Sequence, residues 1–357
     1  MRTTDSVARS RFSTVRARIL ISVLALAAVF GFAVWFLAGK TAELAGVVRD
    51  AESLPLYVVM LAVVLELLSL LSYSSVSRSL LRGLGAPQSR SYLFLVSAAA
   101  TALGNSVPLG AAASTVYFFR RLKHRGVSSS SSAVAIAGVN VMTVLSLCLL
   151  ALVGVIGAEN QAESAVSIGT VLTVVIVFGL MLLGAIYSDR VVGAAFRMIV
   201  WLRAVRHKFN RQVLPERSKW TPDIDFTPAE LLESGTWALF NWIFDLAVLF
   251  LMLVATKSKV AVLGVILAYA LGALAANLPI TPGGLGVVEG SMTVALVAFG
   301  GHETSAVAAV ILYRLFSFWM ILPLGAASYG ILALVSNRQN VEPVLAVDEG
   351  QGRGGVM

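Results

Sequence analysis

The chain has 357 residues, 58% of them hydrophobic and only 13% charged, against roughly 25% charged in soluble domains. A mean hydropathy of +0.85 and several apolar runs of the ~20 residues needed to span a bilayer exclude a soluble enzyme. The net charge of +8 is accounted for by basic residues collected in cytoplasmic loops, with no need for nucleic-acid binding.

Residues 1–18 form a basic cytoplasmic segment with Arg2, Arg9, Arg11, Arg16 and Arg18. The apolar run 19–39 exceeds the 7–15-residue core of a cleaved signal peptide and is read as an uncleaved first span. Further runs at 55–75, 92–119, 132–157, 166–187, 235–255, 260–299 and 305–335 complete a transmembrane domain over 19–335. The expected fold is an all-α polytopic bundle.

"SSSSS" (Ser128 to Ser132) reads as a loop and cap before the fourth run. Residues 188–234 form the main cytoplasmic loop, with eight Lys+Arg. Arg190, Arg197, Lys208 and Arg211 would share a helical face but Arg203 and Arg206 fall opposite, so a solvated basic loop near anionic headgroups is expected. "TPAE" (Thr227 to Glu230) is a capping box with proline at the first helical position, opening the helix of the next span. The tail 336–357 is expected to be disordered and cytoplasmic.

Cys148 is the only cysteine, which rules out a disulfide within the chain. His124, His207 and His302 fall in loops without ligand spacing, and no Walker motif is present. No metal, cofactor, catalytic constellation or direct ATP use is expected.

Two runs carry breaks. The run 92–119 contains "GNSVPLG" (Gly104 to Gly110), and 260–299 contains "NLPITPGGLGVVEG" (Asn277 to Gly290). A single 28-residue helix would be about 42 Å long against a hydrocarbon core of about 30 Å. Charge decides between one crossing and two. If each broken run is a hairpin that returns to the side it entered, 22 Lys+Arg lie inside and 4 outside. If 92–119 crosses once, 10 lie inside and 16 outside. The positive-inside rule selects the hairpin, with both termini cytoplasmic.

The two halves then have the same order in opposite orientation: span, hairpin, span. Both tips carry Asn, Pro and Gly in sequence: Asn105, Pro108 and Gly110 in the first, Asn277, Pro279 and Gly283 in the second. Gly/Pro-interrupted segments at matching places of an inverted repeat are the pattern of secondary transporters.

Non-helical backbone at membrane depth is tolerated only where protein buries it or it lines a cavity. Pro279 and Pro282, with Thr281 between them, end the preceding helix. Gly283, Gly284 and Gly286 permit positive φ and close approach. A helix starting near Leu285 would aim its positive end at the tip, suited to a phosphate; a tight helix–helix turn is the competing reading.

Four ionisable side chains fall within apolar runs: Glu66, Asp245, Glu289 and Arg314. Each costs roughly 2.5–3.5 kcal/mol at a helix centre on insertion scales, so each marks a pathway or a pairing. Glu289, one turn past the break, is placed to pair with Arg314, either as a structural ion pair or as a headgroup or proton site. Asp245, beside Trp242, is expected to face the same cavity, and Glu66 to pair elsewhere. Asn140 is read as interhelical glue.

"LPITPGGLGVVEG", preceded by "WIFDLAVLFLMLVA" and followed by "YRLFSFWMILPLG", resembles the membrane region of lysylphosphatidylglycerol synthases and of stand-alone flippase-like proteins. The resemblance covers most of 20–335. It implies a lipid flippase fold moving a phospholipid or polyprenyl-linked molecule between leaflets. Pro282, Gly283, Gly284, Gly286, Glu289 and Arg314 match the family pattern, and Trp242 and Asp245 match more loosely. Relatives often place an acidic residue and an Arg after the first proline; here Pro108 is followed by Leu109, Gly110 and three alanines. Many relatives also carry Arg and Asp where this chain has Asn140. The chain ends soon after the last span, so the soluble aminoacyl-transferase domain, and synthesis of lysyl-lipid with it, is expected to be absent. The expected partner is a membrane lipid or polyprenyl-linked substrate in the cell membrane, with a second copy of the chain or an envelope-synthesis enzyme as a protein partner. The alternative is a non-transporting scaffold for such an enzyme.

Overall fold

The computed structural model describes residues 54–107, 110–158, 226–276 and 281–335. The first and fifth spans, most of the 188–234 loop and both terminal segments lie outside the described residues. So do Pro108, Asn277 and Pro279 among the site candidates. Within the described residues the fold is entirely helical, in the order α1 (Leu56–Gly83), α2 (Arg90–Ser106), α3 (Gly110–His124), α4 (Ser129–Ala158), α5 (Pro228–Ala255), α6 (Val262–Ala276), a 3-10 turn (Pro282–Gly284) and α7 (Val287–Ala298). The last helix, α8 (Glu303–Val335), is interrupted by a π-helical turn at Leu315–Met320. Helices α1, α4, α5 and α8 are long and apolar enough to cross a membrane.

The polarity of α1 is inverted relative to a soluble helix. Leu56, Tyr57, Met60, Leu61 and Val64 are exposed, while Glu66, Ser69, Ser72, Ser74, Ser77 and Ser79 are buried. Lipid, unlike water, accepts the apolar face, so packing rather than hydrophobicity selects the inner one. The serines are small enough for close approach, and they dispose of their hydroxyls locally: Ser72 donates to Leu68 O and Ser74 to Leu71 O, both at 2.8 Å. Against this face lies α5, the most extensively packed neighbour of α1. Asn241 Nδ2 donates to Ser69 Oγ at 2.8 Å, and Ser79 Oγ donates to Glu230 O at 3.2 Å. An Arg82–Glu233 ion pair closes the end of the seam.

The expected caps form. Thr227 accepts from Glu230 N–H at 3.3 Å while the Glu230 carboxylate accepts from Thr227 N–H at 3.0 Å, with Pro228 opening α5. Ser128 Oγ accepts from Ser131 N–H at 3.0 Å as the cap of α4, but Ser129–Ser132, expected as loop, already form its first turn. Helix α4 then packs on α5, where Trp242 Nε1 donates to Thr143 O at 2.7 Å. Asn140 is exposed among the described residues, which gives it no interhelical partner there.

Both interrupted runs are hairpins. The arms α2 and α3 have 17 and 15 residues, about 26 and 23 Å at ~1.5 Å per residue. Each is shorter than the hydrocarbon core of about 30 Å. At the open end Tyr92 OH donates to Arg121 O at 2.7 Å, and the Arg125 guanidinium stands 4.3 Å over the Tyr92 ring. At the closed end the arms touch through glycine: a Cβ on Gly110 would fall 1.7 Å from Gly104 O. In the second hairpin, α6 packs along α7. The tips also approach each other. Helix α2 lies against the 3-10 turn, and Ala98, Ala102, Leu285 and Phe318 share one buried cluster.

Candidate functional site

The second break is held by a short chain of hydrogen bonds. Pro282 opens the 3-10 turn, whose N–H groups at Gly284 and Leu285 reach back to Thr281 O and Pro282 O, both at 3.2 Å. Thr281 Oγ1 donates to Leu285 O at 2.9 Å. Gly283, Gly284 and Gly286 have φ of +56°, +70° and +84°, a region costly for any residue with a Cβ. Gly283 is also a place of close approach, since a Cβ there would lie 2.1 Å from Phe318 Cε2. Three positive-φ residues within four positions let the chain reverse in the width of one turn.

Arg314 and Glu289 meet at this turn, as their spacing suggested. Arg314 Nε donates to Glu289 Oε1 at 2.6 Å, and Arg314 Nη2 donates to Gly283 O at 2.7 Å. The guanidinium also stacks 4.5 Å over the Phe318 ring. Glu289 Oε2 accepts from Gly286 N–H at 2.6 Å. One ion pair thus satisfies an amide and a carbonyl freed by the break. Helix α7 starts at Val287 with Gly286 as its cap, two residues later than expected. The Gly286 N–H already has the chain's own carboxylate as acceptor, so an incoming phosphate would have to displace Glu289 or bind beside it.

One residue before Arg314 a second polar group begins. Tyr313 OH and Tyr269 OH both donate to Asp245 Oδ2, at 2.9 and 2.6 Å. Tyr269 is fully buried and Glu66, from α1, is 5% exposed. Glu66 lies opposite Asp245 in the antiparallel seam of α1 and α5, whose register is fixed by Asn241 on Ser69 and Ser79 on Glu230 O. Four helices, α1, α5, α6 and α8, therefore converge on Asp245. The π-helical turn starts directly after Arg314, and such turns often mark functional sites because they re-aim side chains.

The structure brings together Asp245, Thr281, Pro282, Gly283, Gly284, Gly286, Glu289 and Arg314 from the second half. In the first half, Gly110 sits at the contact of the two arms, and Asn105 is half-buried in the last turn of α2, one turn beyond the buried Ala102. Sequence reasoning did not place Tyr269, Tyr313 or Phe318 in the site, and it sent Glu66 elsewhere. A signal existed for Tyr269, the one polar side chain in the otherwise aliphatic 15-residue α6. Tyr313 abuts the charged Arg314 in the sequence, a weaker signal.

Lipid-facing helices, hairpins that break inside the bundle and a buried polar centre at one break define a multi-pass membrane protein. The family described as the lysylphosphatidylglycerol synthase TM region matches residues 18–325, and the chain belongs to that family. It is also similar to a UPF0104 membrane protein of Methanothermobacter thermautotrophicus, 25% identical over 327 residues, which cover 87% of this chain and 93% of that protein.

Proposed function

We propose that the protein is a flippase-like transporter that moves a phospholipid or polyprenyl-linked lipid between leaflets, and that it is not itself an enzyme. The observation that carries this reading is the broken turn Pro282–Gly284, which lies against α2 of the other hairpin and beside the buried Arg314 and its partly buried partner Glu289. A protein that only anchored a partner would have no use for interrupted backbone and paired charges in its membrane core, because both cost stability there. Membership of a family described by a lipid-synthase membrane region supports a lipid substrate.

In this reading the two halves are inverted repeats, the tips bound one central path, and both termini lie in the cytoplasm of a cell membrane. The polar headgroup passes along the tips while acyl or prenyl chains stay in the bilayer, beside the exposed apolar faces of the helices. The test is a leaflet-resolved assay in reconstituted vesicles with several fluorescent phospholipids and polyprenyl phosphates. Accelerated exchange of at least one lipid class over protein-free vesicles is expected. Wild-type protein that moves none of them overturns the proposal and leaves the scaffold reading.

A further inference from the structure

The buried carboxyls of Glu66 and Asp245 present an unresolved balance. Glu66 is 5% exposed, and Glu66 Oε2 and Asp245 Oδ1 are both buried with no hydrogen-bond donor facing them among the described residues. The antiparallel seam of α1 and α5, pinned by Asn241 on Ser69 and by Ser79 on Glu230 O, sets Glu66 opposite Asp245. Two ionised carboxylates on facing helices would repel in a dry surrounding, and each would leave an oxygen unsatisfied. One proton removes both difficulties, because a protonated carboxyl supplies the donor that both orphan oxygens lack. Shared-proton carboxyl pairs arise elsewhere for the same reason.

The surroundings decide where that proton sits. Tyr269 from α6 and Tyr313 from α8 both donate to Asp245 Oδ2, which favours the negative charge on Asp245. Arg314, also on α8, adds a positive charge on the same side, but it is already committed to Glu289 of α7 at 2.6 Å. Helix α4, which also packs on α5, carries no charged residue. Three carboxyls thus face one guanidinium.

We propose that Glu66 and Asp245 form a single-proton binding site, with Glu66 as the acid that donates to the Asp245 carboxylate. Its ligand is the proton, held between the two carboxyls themselves, while Arg314, bonded to Glu289, contributes only its nearby positive charge. The site joins α1 to α5, α6 and α8, so separating α1 from the others admits water and releases the proton. Resting on the transport proposal, this makes proton exchange the coupling step of each opening.

The test uses the full chain in lipid nanodiscs, with infrared spectra collected across pH in H2O and D2O. The wild type is expected to show a protonated-carboxyl C=O band near neutral pH that shifts to lower frequency in D2O. Glu66→Gln, which keeps size and a donor, should abolish the band while the protein stays folded; Asp245→Asn should keep the band but shift it. In vesicles, lipid exchange by the wild type should change at least several-fold on reversing an imposed pH gradient, and exchange by Glu66→Gln should ignore the gradient. Absence of the band, its persistence in Glu66→Gln, or wild-type exchange indifferent to the gradient overturns the proposal. If the wild type moves no lipid at all, the transport reading fails, and the infrared result alone decides the proton site.

Discussion

Arg314 on α8 and Glu289 on α7 are joined at 2.6 Å, and through them the last span grips the broken turn of the second hairpin. The guanidinium holds Gly283 O and the carboxylate holds Gly286 N–H, so the pair bridges two backbone groups that the interruption of the helix sets free. With side chains only 10% and 21% exposed, the pair lies where removing one partner is costly. Glu289→Gln and Arg314→Gln should each destabilise the protein by about 3–5 kcal/mol, read as a lowered unfolding temperature in detergent. The double variant should recover part of the loss, and fully additive losses would show that the two groups act separately.

Gly283 tests the close approach to the π-helical turn. Gly283→Ala combines a positive φ, about 1–2 kcal/mol for a residue with a Cβ, with overpacking against Phe318 of about 1–3 kcal/mol. Adding Phe318→Leu should return the packing part and leave the backbone part. No rescue at all would mean that Phe318 is not the obstacle. Gly284→Val belongs to the same class: its Cβ would stand 2.7 Å from Val288 Cγ2 and 3.1 Å from Ala276 Cα, so a loss of folded protein is expected.

The two tyrosines that hold Asp245 should be separable from the clasp. Tyr269→Phe and Tyr313→Phe each remove one donor to a carboxylate, a change of about 1.5–3 kcal/mol. Because both act on the same Asp245 oxygen, a double-variant cycle should show coupling between them. Independent losses would place the carboxylate elsewhere.

Topology can be read with an impermeant thiol reagent after Cys148→Ser. Arg125→Cys and Pro215→Cys should be protected in intact cells, and Gln161→Cys should label. Labelling at position 125 would show that residues 92–119 cross the membrane once, against the 22-to-4 distribution of Lys+Arg.

Asn105 probes the first tip. If the transport proposal holds, Asn105→Ala should slow lipid exchange in vesicles several-fold with little change in unfolding temperature, since the side chain is only half-buried at the end of α2. An unchanged exchange rate would remove the first hairpin from the proposed lipid path.

Much of this protein is legible in its sequence, for local reasons. Apolar runs report spans because a bilayer demands length and internal hydrogen bonding. The Lys+Arg bias identified the break at 104–110 as a hairpin, and α2 and α3 fold back on each other through Gly104 and Gly110. Thr227 and Glu230 declared their capping box within four residues. The meeting of Glu289 and Arg314 followed from their isolation: two opposite charges in neighbouring apolar helices have few other ways to be tolerated.

Other features depended on tertiary structure. Nothing local tells Glu66 that its neighbour is Asp245, because the two are brought together only when α1 packs along α5. The choice of Tyr269 and Tyr313 as donors to one carboxyl oxygen likewise depends on how α6 and the π-helical turn of α8 are rotated about their axes. Nor does the sequence disclose that Arg314 reaches past its ion-pair partner to Gly283 O. Spans, caps and breaks arise from interactions over a few residues or from the bilayer itself, and so composition and spacing determine them. A buried polar centre arises from helix rotation and packing among segments far apart in the chain, which only the folded structure decides.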